Sequence, residues 1–240
     1  MNYSLQDKTF IVAGGSYGIG LALTQKLLES GATVQVFSRT LGDLTQHARL
    51  THRECDFLGD QFNDYELPEN IDGVAYCPGS INLRSFRALK VDDFRNDFEI
   101  NTLGAIKFLK SCLAGLKNGS ASNASSILLF STVAASTGMP MHTSIAAAKG
   151  AIEALTRSLA AELAPHVRVN CLAPALTDTP LAAKLLDTEE KRNKLNGKHP
   201  LGRVGTPDDL ANAAKFLLTS ESDWMTGQVM AVDGGMSAIQ

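Results

Sequence analysis

The chain has 240 residues, 44% of them apolar and 20% charged, with a formal net charge of −3 and a pI near 5.9. That length suits one α/β domain with a large core and is short for two, and the weakly acidic balance leaves no basic stripe for nucleic acid. Cys55, Cys77, Cys112 and Cys171 show no paired short spacing, which argues against a zinc or other metal site and against a disulfide framework. With no apolar run near the ~18 residues of a membrane span, the expectation is a cytoplasmic protein with no membrane partner.

Short β-rich runs at 9–13, 33–37, 52–55, 71–76, 126–131, 167–172 and 228–232 alternate with helical patterns. Such alternation implies a parallel sheet covered by helices on both faces. The first helix begins in a glycine-rich turn and carries Ile19, Leu23, Leu27 and Leu28 on one stripe before Gly31 stops it. The polar span 57–70 is too short for a full crossover helix and predicts a trimmed helix or a loop. Two long helices are expected at 98–117 and 147–163. The small residues of 119–125 predict a mobile surface loop between the first of these and the fifth strand. The second helix has Ala151, Ala154, Leu155, Leu159 and Ala160 on more than one face, so a homo-oligomer, dimer or tetramer, is expected on the two. The whole of 1–240 reads as one domain.

Glycines at 14, 18 and 20 allow a tight turn, a close approach of backbone to a phosphate and close packing of helix on strand. Their spacing, Gly14-x-x-x-Gly18-x-Gly20, is not that of GxGxxG. Other matches follow in order: Asn101 in Phe98-Glu-Ile-Asn101, Thr132 after the fifth strand, Lys149 in His142-Thr-Ser-Ile-Ala-Ala-Ala-Lys149, Pro174-Ala-Leu-Thr-Asp-Thr179, and Val232-Asp233-Gly234-Gly235. In this set the chain resembles the short-chain dehydrogenase/reductase superfamily.

The resemblance implies a doubly wound α/β domain (Rossmann fold) with strand order 3-2-1-4-5-6-7. It also implies an oxidoreductase that moves hydride to or from a small carbonyl compound or an activated alkene. Gly14, Ser16, Tyr17, Gly18, Ile19 and Gly20 would form the cofactor turn, Asp56 and Phe57 would meet the adenine, and Cys77 and Gly79 would border the adenosine ribose. Pro174, Thr177 and Thr179 would meet the nicotinamide amide, and residues 179–200, chemically unspecific in sequence, would form a substrate lid. The second strand ends in Ser38-Arg39 with no carboxylate for a ribose diol. A guanidinium fork and a hydroxyl there favour NADP over NAD.

For the reaction itself, Asn101 would kink its helix beside the lysine, Thr132 would hold the substrate oxygen, and Lys149 would serve both cofactor and proton transfer. Ser131 should point to the face opposite Thr132. Four residues before Lys149, where the family carries its proton-donating tyrosine, stands Ile145. Tyr3, Tyr17, Tyr65 and Tyr76 are in no obvious place to substitute. His142, seven before the lysine, echoes the layout of related enoyl reductases with histidine for tyrosine. The competing class is a cofactor-holding sensor or subunit partner that has lost its chemistry.

Overall fold

Phe10 to Ala13 are buried without a break, which is what a strand covered on both faces requires. They belong to β1 (Thr9–Ala13), and similar buried runs form β2 (Thr33–Ser38), β4 (Gly73–Tyr76), β5 (Ser125–Phe130) and β6 (Val167–Pro174). The half-exposed β3 (Leu50–Glu54) and β7 (Val229–Val232) close the two edges. All neighbours pair in parallel in the order β3-β2-β1-β4-β5-β6-β7, the expected topology. The structure, a computed structural model, describes residues 4–59, 62, 65–119 and 123–239.

The helices in chain order are α1 (Gly18–Glu29), α2 (Val91–Phe98), α3 (Gly104–Gly119), α4 (Ala134–Thr137), α5 (Thr143–Leu163), α6 (Glu189–Asn196) and α7 (Pro207–Leu218). Leu23, Leu27 and Leu28 of α1 and Ala214, Leu217 and Leu218 of α7 bury against Phe10, Val12, Val34 and Val36 on one face of the sheet. Phe108, Cys112 and Leu116 of α3 and Ile152, Ala160 and Leu163 of α5 bury against Ile11, Phe37, Val74, Ile127 and Leu129 on the other. Each such fully buried large side chain contributes about 1.5–3 kcal/mol relative to exposure. Among the described residues no helix is long and apolar enough to cross a membrane.

The helix expected at 98–117 is interrupted. α2 ends at Phe98, Glu99–Leu103 is one π-helical turn, and α3 starts at Gly104. The site of the break has a packing reason, because a Cβ at Gly104 would press on the Tyr76 hydroxyl at 2.5 Å and the Phe57 carbonyl at 3.1 Å. The extra residue of a π turn is a known way to re-aim side chains inside a helix. Asn101, fully buried here, is the one re-aimed. The second long helix starts at Thr143, earlier than 147.

The described part of 57–70 holds no α-helix; Phe57, Phe62 and Tyr65 instead insert rings against Phe37, Tyr76 and Phe108. Asp60, Gln61, Asn63 and Asp64 of that span, residues 120–122 of the expected linker, and Tyr3 lie outside the described residues.

The fold leaves no room at Gly20, where a Cβ would enter the van der Waals envelope of the Gly14 carbonyl oxygen and lie 3.1 Å from the Gly15 Cα. Gly20→Ala should therefore destabilise the domain by about 1–3 kcal/mol through overpacking, read as a lower urea midpoint with an unchanged slope. A wild-type midpoint would show that this turn yields more easily than its geometry indicates.

Candidate active site

The connections of β1 and β4 leave in opposite directions along the sheet, and the crevice that opens beyond their C-terminal ends is where open α/β sheets take ligands. A cavity of about 470 Å³ lies there, bordered by Ile19, Cys77, Gly79, Thr132, Ile145, Lys149, Pro174, Thr177 and Thr179 among others. Sequence positions from 19 to 179 are thus brought to one place.

On one side stands the glycine turn. Gly14 and Gly18 have φ of +72° and +55°, a region that L side chains rarely adopt. A Cβ on Gly14 would meet the Pro78 nitrogen at 3.1 Å, so this turn and the 77–79 turn touch through bare backbone. Tyr17 caps α1 without a side-chain hydrogen bond, and no acidic residue occupies the first turn. The N–H groups that open α1 have no carbonyl in a preceding turn to bond, and together with the helix dipole they suit an anion.

Lys149 is 9% exposed, and its Nζ donates to the Phe130 carbonyl at the end of β5, 2.8 Å away. Burial pulls its pKa down to about 8, opposed in part by the Asp97 carboxylate. Ile145, one helical turn earlier on α5, is 6% exposed and lines the cavity. The Thr132 Oγ1 accepts from the Ala134 N–H at 3.3 Å, which leaves its own proton available to a ligand oxygen. Ser131 turns toward α5, as alternation predicts, donating to the Glu153 carboxylate at 2.7 Å, although the residue also borders the cavity.

The Asn101 Nδ2 donates to the Asp97 carbonyl (2.8 Å) and to the Ser80 Oγ (2.9 Å). His142 sits at the rim as the cap of α5, with Nδ1 2.7 Å from the Pro140 carbonyl. That nitrogen must carry the proton, so the neutral ring offers Nε2 as an acceptor only. On the far wall the Thr177 Oγ1 donates to the Ala175 carbonyl, and the Thr179 methyl lies 3.2 Å from where a Cβ of Gly18 would be.

Three of the expected cofactor residues offer a ligand less than their side chains suggest. The Phe57 ring is 4% exposed and packs in the aromatic core, so only its backbone is available to a ligand. The Ser38 hydroxyl is spent within the chain, donating to the Thr40 carbonyl and meeting His52 Nε2, both at 2.9 Å. Arg39, exposed beside it, is left as the donor at the end of β2. Tyr17, 45% exposed, borders Gly42 and, like Gly14, Gly18 and Gly20, is not among the residues lining the cavity. The Asp56 carboxylate accepts from the Leu58 N–H at 3.1 Å. Tyr65 and Tyr76 donate to the carbonyls of Glu54 and Ile100, outside the cavity.

The segment 179–200 is less neutral chemically than its sequence indicates. It folds as a 3-10 turn, Pro180–Leu185, and α6, and shows the cavity Leu181, Ala182, Leu185, Leu195, Lys198 and His199. Ser80, Asp97 and His199 were not anticipated. A partial signal existed for Asp97, which stands four residues before Asn101 and so shares its helix face.

A sheet in this order, a glycine turn of this spacing and a buried lysine facing the crevice are the architecture of a doubly wound oxidoreductase. The chain belongs to the short-chain dehydrogenase/reductase family. The family model described as enoyl-(acyl carrier protein) reductase matches residues 61–237. The chain is 31% identical to the 2,5-dichloro-2,5-cyclohexadiene-1,4-diol dehydrogenase of Sphingobium indicum, over 98% of its own length and 99% of that one. It is 32% identical to a 3-oxoacyl-(acyl-carrier-protein) reductase of Chlamydia trachomatis, over 99% and 100%. A short-chain dehydrogenase family protein of Francisella tularensis superposes with a TM-score of 0.87 at 26% identity, over 96% of this chain and 99% of that one.

The depressed pKa of Lys149 has a stability consequence of fixed sign. Below about pH 8 both folded and unfolded chains carry the proton, and the folded one bears a buried cation. Between about 8 and the ordinary 10.5 the unfolded chain holds a proton that the folded chain has released, so stability rises with pH through that window. The stability of wild type relative to Lys149→Met should therefore rise by about 2 kcal/mol between pH 7 and pH 10. Urea unfolding at pH 7 and pH 10 checks this, and a variant destabilised equally at both would contradict it.

Proposed function

We propose that the protein is an NADP(H)-dependent oxidoreductase acting on a small carbonyl compound, or on an activated alkene. The observation that carries this reading is the buried Lys149 ammonium facing a cavity that Ile19, at the start of the helix that the glycine turn opens, also borders. When bound, a nicotinamide dinucleotide supplies the hydride donor or acceptor. In this reading the pyrophosphate is held by the backbone of Gly14 to Gly20, the adenine by Asp56 and the backbone of Phe57, and the ribose nearby by Cys77 and Gly79. Pro174, Thr177 and Thr179 would meet the carboxamide. The dehydrogenase of a cyclic diol and the 3-oxoacyl reductase among the relatives support a secondary alcohol or the matching ketone as substrate class.

Lys149 would orient ribose hydroxyls and stabilise negative charge on the substrate oxygen, and the Thr132 hydroxyl would donate to that same oxygen. Asn101 would hold the kinked turn beside the lysine. Ile145, in the family's tyrosine position, has no proton to give, and the Nδ1 proton of His142 is committed to the Pro140 carbonyl. Segment 179–200 would close over the substrate with the apolar face it already presents. A second reading, a cofactor-holding protein without turnover, draws on Ile145. Turnover of NADPH against panels of ketones and enoyl compounds separates the two, since cofactor binding without any turnover favours the second.

Arg39 should set the cofactor preference, because a guanidinium grips a 2′-phosphate by charge-assisted hydrogen bonds. Wild type should bind NADPH more tightly than NADH, and Arg39→Ala should narrow the ratio by roughly tenfold to a hundredfold. An unchanged ratio in a fluorescence titration would place the discrimination elsewhere.

Ile145→Tyr should raise the reduction of a generic diketone by roughly a hundredfold or more, the usual worth of a positioned general acid. Thr132→Ala should erase that gain. A folded, NADPH-binding Ile145→Tyr protein with no gain on any carbonyl would contradict the role given to this position.

A further inference from the structure

Asp97 is a buried carboxylate that nothing above employs. It is 3% exposed, and its Oδ1 accepts a 2.6 Å hydrogen bond from the hydroxyl of Ser80, while Oδ2 has no hydrogen-bond partner among the described residues. A carboxylate so placed is costly unless a positive charge or strong donors compensate it. The Ser80 bond is one compensation, at the short end expected for a hydroxyl on an ionised acceptor. The ammonium of Lys149 is the other, and the charge of Asp97 favours its protonated form.

Ser80 itself lines the cavity, next to Gly79, where a Cβ would lie 3.5 Å from the Lys149 Nζ. Its hydroxyl is fixed on both sides. It donates to Asp97, and it accepts from the Asn101 Nδ2 at 2.9 Å, the same amide group that anchors on the Asp97 carbonyl. One lone pair of Ser80 Oγ therefore remains, and it offers the cavity an acceptor backed by a carboxylate. His142, an acceptor at the rim, and His199, an acceptor on the 179–200 wall, each have only a backbone carbonyl behind the ring.

We propose that Ser80 and Asp97 form a proton relay, in which Ser80 takes the hydroxyl proton of a secondary alcohol substrate and Asp97 is the positioning residue that receives Ser80's own proton. The inference rests on the oxidoreductase reading above and supplies the proton acceptor that Ile145 does not. The substrate O–H bond breaks as an O–H bond forms on Ser80 Oγ. The former Ser80 O–H bond breaks as one forms on Asp97 Oδ1. No electrons enter or leave the protein in this step, and one negative charge passes from the carboxylate to the substrate oxygen, beside the Lys149 ammonium and the Thr132 hydroxyl. The same steps reversed deliver a proton to the oxygen of a ketone.

Two measurements test the relay. The first needs no turnover: the carboxyl ¹³C resonance of Asp97, assigned by its loss in Asp97→Asn, is followed while cyclohexanol is added to the protein. A shift in wild type that disappears in Ser80→Ala supports the relay. No shift in wild type, or the same shift in Ser80→Ala, overturns it. The second takes whichever secondary alcohol of a panel the wild-type protein oxidises with NADP⁺. Ser80→Ala and Asp97→Asn should each lower the rate about a hundredfold, and the double variant should be no slower than either. Adding Ile145→Tyr to Asp97→Asn should recover activity, which it would not do if Asp97 merely held the fold. Full activity in both single variants overturns the relay. A wild-type protein that turns over no alcohol and no ketone overturns the oxidoreductase reading instead, and the resonance comparison then decides the relay by itself.

Discussion

The desolvated ammonium of Lys149 is the constraint around which the rest of the site is arranged. A charge held at 9% exposure costs free energy, and here it is offset by the Phe130 carbonyl at 2.8 Å and by the nearby charge of Asp97. Each of these depends on a different part of the chain. The carbonyl is placed by the end of β5, the carboxylate by the last turn of α2, and the lysine by the second turn of α5. The parallel sheet allows them to meet, because its strands all deliver their C-terminal ends to one edge.

Around that charge the backbone does as much as the side chains. Gly14, Gly18 and Gly20 remove Cβ atoms where two turns and a helix crowd together, and the opening N–H groups of α1 remain to meet an anion. The π turn at Glu99–Leu103 aims Asn101 inward, and Asn101 in turn fixes Ser80. The contribution of Asn101 is thus geometric as much as chemical, since it determines the direction of a hydroxyl bordering the cavity.

Much of this was readable from the chain alone, and the rest was not for physical reasons. Alternating strand and helix patterns gave the parallel sheet, because buried parallel strands must be apolar without interruption, and the family resemblance gave its order. Glycine spacing marked the turn because few other residues tolerate its φ angles. The break in the helix expected at 98–117 depends on Tyr76 and Phe57 crowding Gly104, contacts across 28 and 47 residues that no local pattern records. Ser38 was read as a ligand donor, but its hydroxyl pairs with His52 on a neighbouring strand, 14 residues away. The aromatic ring of Phe57 went to the core because the span after β3 is too short to bury Phe37 and Phe108 with a helix. Ser80 and Asp97 escaped notice because a serine after a glycine turn and an aspartate in a polar helix are ordinary until the fold joins them.

A crystal structure of the protein grown with NADP⁺ tests the central claim most directly. The account predicts a dinucleotide lying along the C-terminal edge of the sheet, its 2′-phosphate at Arg39, its pyrophosphate over the Gly14 to Gly20 turn and its nicotinamide ribose within hydrogen-bonding distance of the Lys149 Nζ. A dinucleotide bound elsewhere, or a crevice that takes none at millimolar cofactor, would contradict it.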